Sequence, residues 1–152
     1  MFVIPARFAL LRVPMESNSR FSTQVKAQMT ATAKEISARA HCPYSKFPVG
    51  AAVLSANGRI FGGCNIENAS FGLTICAERA AIFNAVSAGE KELIALVIYT
   101  PTPHPSAPCG ACRQVMNEFG PSAHVLAVCD GPNILAIPLN ELLPKAFGPE
   151  SL

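Results

Sequence analysis

The sequence predicts an α/β fold: a mixed five-stranded sheet with helices on its faces. Three observations lead there. A stretch from Thr23 to about Ala40 repeats apolar residues at helical spacing, and two β runs flank Ala56-Asn57-Gly58. The remainder alternates short apolar runs with helical segments, giving the order α-β-β-α-β-α-β-β-α.

In the first element, "TQVKAQMTATAKEISARA", Val25, Met29, Ala33 and Ile36 share one side, Ser22 or Thr23 serves as N-cap, and the helix stops at His41-Cys42-Pro43. "VGAAVLSANGRIFGGCNIE" reads as an antiparallel pair, because Asn-Gly is the strongest short hairpin signal. "CAERAAIFNAVSAG" is a helix closed by Gly89, and "LIALVIYT" is a nearly all-apolar strand, the pattern of a strand covered on both faces. "ACRQVMNEFG" is a helix closed by Gly120. "HVLAVCD" and "NILAIPL" are strands around Gly131-Pro132, and "NELLPKAF" is a short terminal helix. The chain shows no internal repeat or low-complexity tract.

Half of the 152 residues are apolar, enough for one core and too few residues for two. Twelve basic and ten acidic residues, spread along the chain, give a net charge of +2. With no polybasic patch, a small-molecule partner is expected rather than a nucleic-acid polymer or an anionic membrane. Six cysteines are read as free thiols in a reducing, cytoplasmic compartment, since a chain of this size does not need disulfide staples. No apolar run approaches the roughly 20 residues of a membrane span. Residues 1–21 carry Arg7, Arg12 and Arg20 against Glu16, a faint transit-peptide character, but Pro5 and Pro14 oppose a continuous amphipathic helix. They read as a disordered or non-native extension, with Met15 available as an alternative start, and residues 22–152 as the single domain.

Two motifs carry chemistry. In "PCGACRQVM", Cys109 and Cys112 stand three apart, on one face of a helix, where they can grip one ion. Alone, that pair is equally a redox dithiol, half of a structural zinc knuckle or two incidental thiols. Cys76 in "TICAERAAIF" raises the count to three soft ligands, a zinc site with one open position. His41, His104 and His124 are candidate fourth ligands; only His104 lies near a cysteine ligand in sequence, and it reads better as a solvated loop residue. Glu78 stands two residues after Cys76, positions that diverge inside a regular helix, so the pair works only if Cys76 sits at the helix end. By itself Glu78 is an acid favoured by a helix N-terminus; beside zinc, which lowers the pKa of a water to about 7, it is a proton carrier. Three thiolates on a dication leave excess negative charge. Two helix N-termini and Arg79 offset it, with Arg113 the lesser candidate.

These motifs, with "CPYSKFPVGAA", "GCNIENASFGLTICAERAA", "PCGACRQVMNEFG" and "NELLPKAFGPESL", closely resemble the cytidine deaminases of the small homotetrameric, three-cysteine zinc class. The resemblance covers roughly residues 22–152 and implies a three-layer α-β-α fold with one Zn2+ per subunit. It implies hydrolysis of cytidine and 2'-deoxycytidine to the uridines with release of ammonia, as in pyrimidine salvage. Carried over residue by residue, it makes Cys76, Cys109 and Cys112 the ligands, Glu78 the acid and base, and Arg79 a partner of the ligand sulfurs. Asn65 and Glu67 then hold the ribose hydroxyls, Phe47 covers the pyrimidine, the Ala77 N–H binds O2, and the Ala107 carbonyl binds the leaving amine. Phe147 is expected to reach into a neighbouring subunit's site. Ala107 stands where relatives often have serine, and Phe71 where some have tyrosine. Cys42, Cys64 and Cys129 match no ligand and read as small buried hydrophobes. Two rivals remain open. One is deamination of another cytosine-containing compound, against which the Asn65/Glu67 pair argues. The other is a structural zinc module that binds protein or RNA, which needs a fourth protein ligand and no Glu78.

Overall fold

The computed structural model describes residues 21–152; the expected extension over 1–21 lies, but for Phe21, outside the described residues. Five strands, β1 (Gly50–Ser55), β2 (Ile60–Cys64), β3 (Leu93–Thr100), β4 (His124–Cys129) and β5 (Leu135–Pro138), form one sheet in the order β2-β1-β3-β4-β5. Only the β3–β4 pair is parallel. The mixed sheet expected from the element order is therefore present. It lies between α1 (Thr23–Ser37) on one face and α2 (Ala77–Ser87), α3 (Gly110–Phe119) and the short α4 (Leu139–Leu142) on the other.

The layers follow from strand alternation. Ala52, Leu54, Val97 and Tyr99 meet Val25, Met29 and Ala33 of α1, whereas Ala51, Val53, Leu96 and Ile98 meet Ala81, Ile82 and Ala85 of α2 and Met116 of α3. All residues of β1 are buried, as expected of a strand covered on both sides. Gly63 lets α2 approach β2 closely: a Cβ there would collide with the backbone of Ala77, Ala80 and Ala81. The first turn of α2 is thereby laid directly against the sheet.

Local details refine the sequence reading. Helix α1 ends at Ser37, with Ser22 as its N-cap accepting from the Val25 N–H. The hairpin loop is the expected Ala56-Asn57-Gly58: Gly58 N–H donates to Ser55 O, Ser55 N–H to Arg59 O, and of the three only Gly58 has a positive φ, 76°. This is a type I turn with a following left-handed glycine, so Asn57 needs no unusual backbone. Gly89 closes α2 with φ 91°, and Gly120 closes α3 as its C-cap, donating its N–H to Met116 O; its backbone is extended and lies close against the Leu93 carbonyl. Finally, α4 covers only four residues, and the tail beyond it is irregular until a short 3-10 turn at Pro149–Ser151.

The hairpin is locked to the end of α2 by a buried ion pair. Arg59 Nη1 donates to Glu90 Oε1 at 2.7 Å, Asn57 Nδ2 donates to Glu90 Oε2 at 2.9 Å, and the Arg59 guanidinium lies 4.9 Å from the Phe61 ring centroid. Burial pushes the Glu90 carboxyl up, but hydrogen bonds from Asn57, Arg59 and Ser55 outweigh it and hold the group below the ordinary range. Glu90→Gln is expected to destabilise the fold by about 2 kcal/mol near neutral pH in denaturant titration. The carboxylate's contribution is present above its unfolded pKa of about 4.3 and is lost as pH falls through the lower folded value. The gap between wild type and variant should therefore shrink below about pH 4. An equal gap at neutral pH and in acid would show that the charge contributes nothing.

Candidate metal centre and active site

Cys76 and Cys109 are the N-caps of α2 and α3, with φ/ψ of −70°/154° and −67°/167°. Neither side chain makes a capping hydrogen bond. An extended N-cap turns its side chain across the helix end, and this resolves the Cys76-x-Glu78 spacing: the two residues are not on one helical face but around one helix terminus. Cys112, fully buried, joins them from the first turn of α3. The three sulfurs lie within 4.8 Å of one another, and Cys109 and Cys112 Sγ are 3.5 Å apart. Among the described residues no histidine joins the group. His104 is exposed, and its carbonyl accepts from Thr102 Oγ1, while His124 stacks on Phe21 at the far end of β4.

The electrostatics suit a soft cation. The hydrogen bond from Cys112 pulls the Cys76 thiol down to about 5 despite burial, with Arg79 adding to the effect. Cys112 is pushed up by that same hydrogen bond, by burial and by the Glu78 charge. The cluster thus already holds one thiolate and would release further protons to a metal. Arg79 Nη2 donates to Thr74 O at 3.0 Å and lies 3.7 Å from Cys76 Sγ, while its Nε is buried without an acceptor among the described residues. The free N–H groups of two helix starts add positive potential at the sulfurs. Three thiolate donors, no fourth protein ligand and a resident guanidinium fit one zinc ion with an open position. Arg113, considered from sequence as a second counter-charge, turns away: its Nε donates to Pro108 O and its Nη1 to Leu142 O.

Glu78 is 6% exposed and sits in the first turn of α2 beside the sulfurs. Burial pushes its carboxyl above the ordinary range, and the Cys76 charge adds to this, against the opposing pull of hydrogen bonds from the backbone and Cys112 and of the Arg79 charge. Ala77, immediately before it, belongs to the turn whose amides have no intrahelical acceptor.

Asn65 and Glu67 arrive from just beyond β2, where Ile66 bridges both His41 and Ile75, the residue before Cys76. Asn65 is a clamp: Oδ1 accepts from Val49 N–H at 2.8 Å, and Nδ2 donates to Phe47 O at 2.9 Å. Glu67 Oε2 accepts from the N–H groups of Tyr44 and Ser45, and hydrogen bonding by Ser45 holds the carboxyl below its ordinary range. Each keeps hydrogen-bonding capacity for a polar ligand. Phe47 is exposed on the 44–49 loop, Ala107 lies exposed in the loop before Cys109, and Phe147 is 62% exposed on the tail. The sequence reading missed three supports: Thr74, whose carbonyl orients Arg79; Ser45, which steadies Glu67; and Gln114, which donates to Phe147 O. Each acts largely through or upon main-chain atoms, which no residue pattern announces. Cys42, Cys64 and Cys129 are half-buried rather than buried, and Cys129 Sγ faces the carbonyls of Pro103, Gly131 and Asn133.

Comparison with known proteins agrees with this geometry. The family described as "Cytidine and deoxycytidylate deaminase zinc-binding region" matches residues 23–128. A cytidine deaminase of Sporosarcina psychrophila is 46% identical over 127 residues, covering 82% of this chain and 93% of that protein. One from Halalkalibacterium halodurans is 48% identical over 115 residues, covering 74% and 86%. The crystal structure of cytidine deaminase from Burkholderia pseudomallei superposes with a TM-score of 0.76 at 43% identity, covering 80% of this chain and 98% of the other. With the three-thiol cluster and the three-layer fold in agreement, the chain belongs to the cytidine and deoxycytidylate deaminase family.

Proposed function

We propose that the protein hydrolyses cytidine and 2'-deoxycytidine to uridine and 2'-deoxyuridine with release of ammonia, as a cytoplasmic enzyme of pyrimidine salvage acting through residues 22–152. The observation that carries this reading is a buried carboxylate, Glu78, beside three convergent thiols that offer no fourth protein ligand. Six free cysteines suit the compartment, and among the described residues no helix is long and apolar enough to cross a membrane. Cys76, Cys109 and Cys112 would hold zinc, which supplies Lewis acidity and lowers the pKa of a water to about 7.

Glu78 takes a proton from the attacking water and gives it to N3 of the pyrimidine as the C4–O bond forms. The same carboxylate passes the water's second proton to the amine as the C4–N bond breaks, so one molecule of water enters and one of ammonia leaves. Burial keeps the carboxyl away from bulk water, so the proton stays between the reacting atoms. The Ala77 N–H meets O2 of the base and the Ala107 carbonyl meets the amine. Asn65 and Glu67, pinned to the 44–49 loop, hold the ribose hydroxyls, and Phe47 covers the ring. A structural zinc module is disfavoured because it would have no use for a buried carboxylate at an open metal position.

Glu78→Gln is expected to keep zinc and fold and to lose at least about 10²-fold in kcat, since the amide hydrogen-bonds but moves no proton. Near-normal turnover of cytidine in that variant would overturn the assignment. Cys109→Ala should lose metal and thermal stability together; full zinc occupancy by atomic absorption would mean that another group is the ligand.

The active assembly is read as a homotetramer whose sites are shared between chains. The support is Phe147, an exposed aromatic on a tail that offers it little cover. Phe147→Ala should raise KM for cytidine several-fold and weaken association, followed by light scattering together with sizing. A fully active monomer is incompatible with shared sites.

A further inference from the structure

Cys109 is exposed, unlike Cys112, so packing does little to hold this metal ligand. What fixes it is main-chain geometry. Arg113 N–H closes the first turn of α3 on Cys109 O, and the Arg113 side chain then reaches back to the peptide before Cys109, donating from Nε to Pro108 O at 2.7 Å. The same guanidinium donates from Nη1 to Leu142 O at 2.9 Å, near the end of α4. A planar fork with separate donors can span two carbonyls in a way that lysine cannot. One residue further along, Gln114 Nε2 donates to Phe147 O at 2.9 Å. Among the described residues, this is the hydrogen bond that joins the segment after α4 to an element other than α4 and the segment itself.

We infer that Arg113 and Gln114 are positioning residues that couple metal binding to the placement of the tail carrying Phe147. A metal on Cys109 Sγ fixes that residue's backbone and so the Pro108 carbonyl. The fixed carbonyl holds the Arg113 fork in the orientation that engages Leu142, and α3 then presents Gln114 to Phe147 O. By linkage the coupling is reciprocal, so an ordered tail strengthens metal retention by the same factor. The significance of Phe147 for substrate rests on the proposed function; the coupling itself does not.

The test is amide hydrogen exchange across residues 143–152 in the zinc-loaded protein and after chelation. One hydrogen bond contributes on the order of 1 kcal/mol, so stripping zinc from the wild type should speed exchange by roughly five- to tenfold at Leu143, whose N–H donates to Leu139 O, and at Ser151, whose N–H donates to Gly148 O, while amides of β3 stay protected. In Arg113→Ala the tail should exchange fast with or without zinc; Arg113→Lys, a milder change should the alanine variant not fold, should retain less than half of the zinc effect in logarithmic terms. Gln114→Ala should speed tail exchange, weaken zinc retention against a chelator by a like factor, and raise KM for cytidine with kcat within about twofold. Tail exchange that ignores zinc in the wild type, or an undiminished zinc effect in both Arg113 variants, would overturn the coupling. Faster tail exchange in Gln114→Ala with an unchanged KM would instead uphold the coupling and remove Phe147 from the substrate site.

Discussion

Three sulfur ligands within 4.8 Å of one another is the constraint on which the rest of the structure depends. Thiolates repel at that distance, and the fold answers by aiming two helix starts and a guanidinium at them. The arrangement has a local cost. Serine, threonine, aspartate or asparagine at an N-cap would satisfy a first-turn amide and stabilise each helix by about 1 kcal/mol, whereas Cys76 and Cys109 make no such bond. Their sulfurs remain available for a metal instead. Binding energy from zinc, on the order of ten times that loss, readily offsets two missing caps.

The sheet makes this meeting of helix ends reproducible. Gly63 brings the first turn of α2 against β2, so Cys76 and Glu78 are placed by backbone contact rather than by flexible side chains. The chain leaving β2 continues through Asn65-Ile66-Glu67 and bridges Ile75, one residue before Cys76. Cys76 and Glu78 on one side and Asn65 and Glu67 on the other therefore hang from one small network of main-chain bonds, in which His41 also takes part. A shift of β2 would move both halves together, so their relative geometry survives small distortions of the sheet.

Much of this was legible in the sequence because the relevant signals are local. The 3.6-residue period of α1, the turn at Asn57-Gly58 and the apolar run of β3 each specify an element without reference to the others. The Cys-Ala-Glu-Arg and Pro-Cys-Gly-Ala-Cys motifs placed ligands and carboxylate for the same reason: a helix end makes residues close in sequence converge. What was hidden depends on contacts between distant segments. Arg113 looked like a counter-charge because it follows Cys112, yet its partners are the carbonyls of Pro108 and Leu142. Gly120 ends α3 as read, but the demand for glycine there also comes from a strand it approaches only in the folded chain. Asn65 read as a solvent-face residue or, by resemblance, a ribose contact, whereas both polar atoms of its amide brace the 47–49 segment.

The balance of buried and exposed groups around the centre carries the argument one step further. Glu78 and Cys112 are sealed from solvent, while Tyr44, Phe47, Phe71 and Leu73 are substantially exposed, and Tyr44 meets Phe71 edge-on with ring centroids 5.5 Å apart. Phe147 is exposed to a comparable degree, although its carbonyl is held by Gln114. Such a rim is wasteful in an isolated chain, because apolar rings left in water gain nothing from the fold. It makes sense if the reacting atoms are protected by the chain's own core and the base and ribose are covered from outside. The anchored backbone of Phe147 agrees with that division: a ring projected from a fixed main chain can enter a partner's pocket with little further loss of entropy.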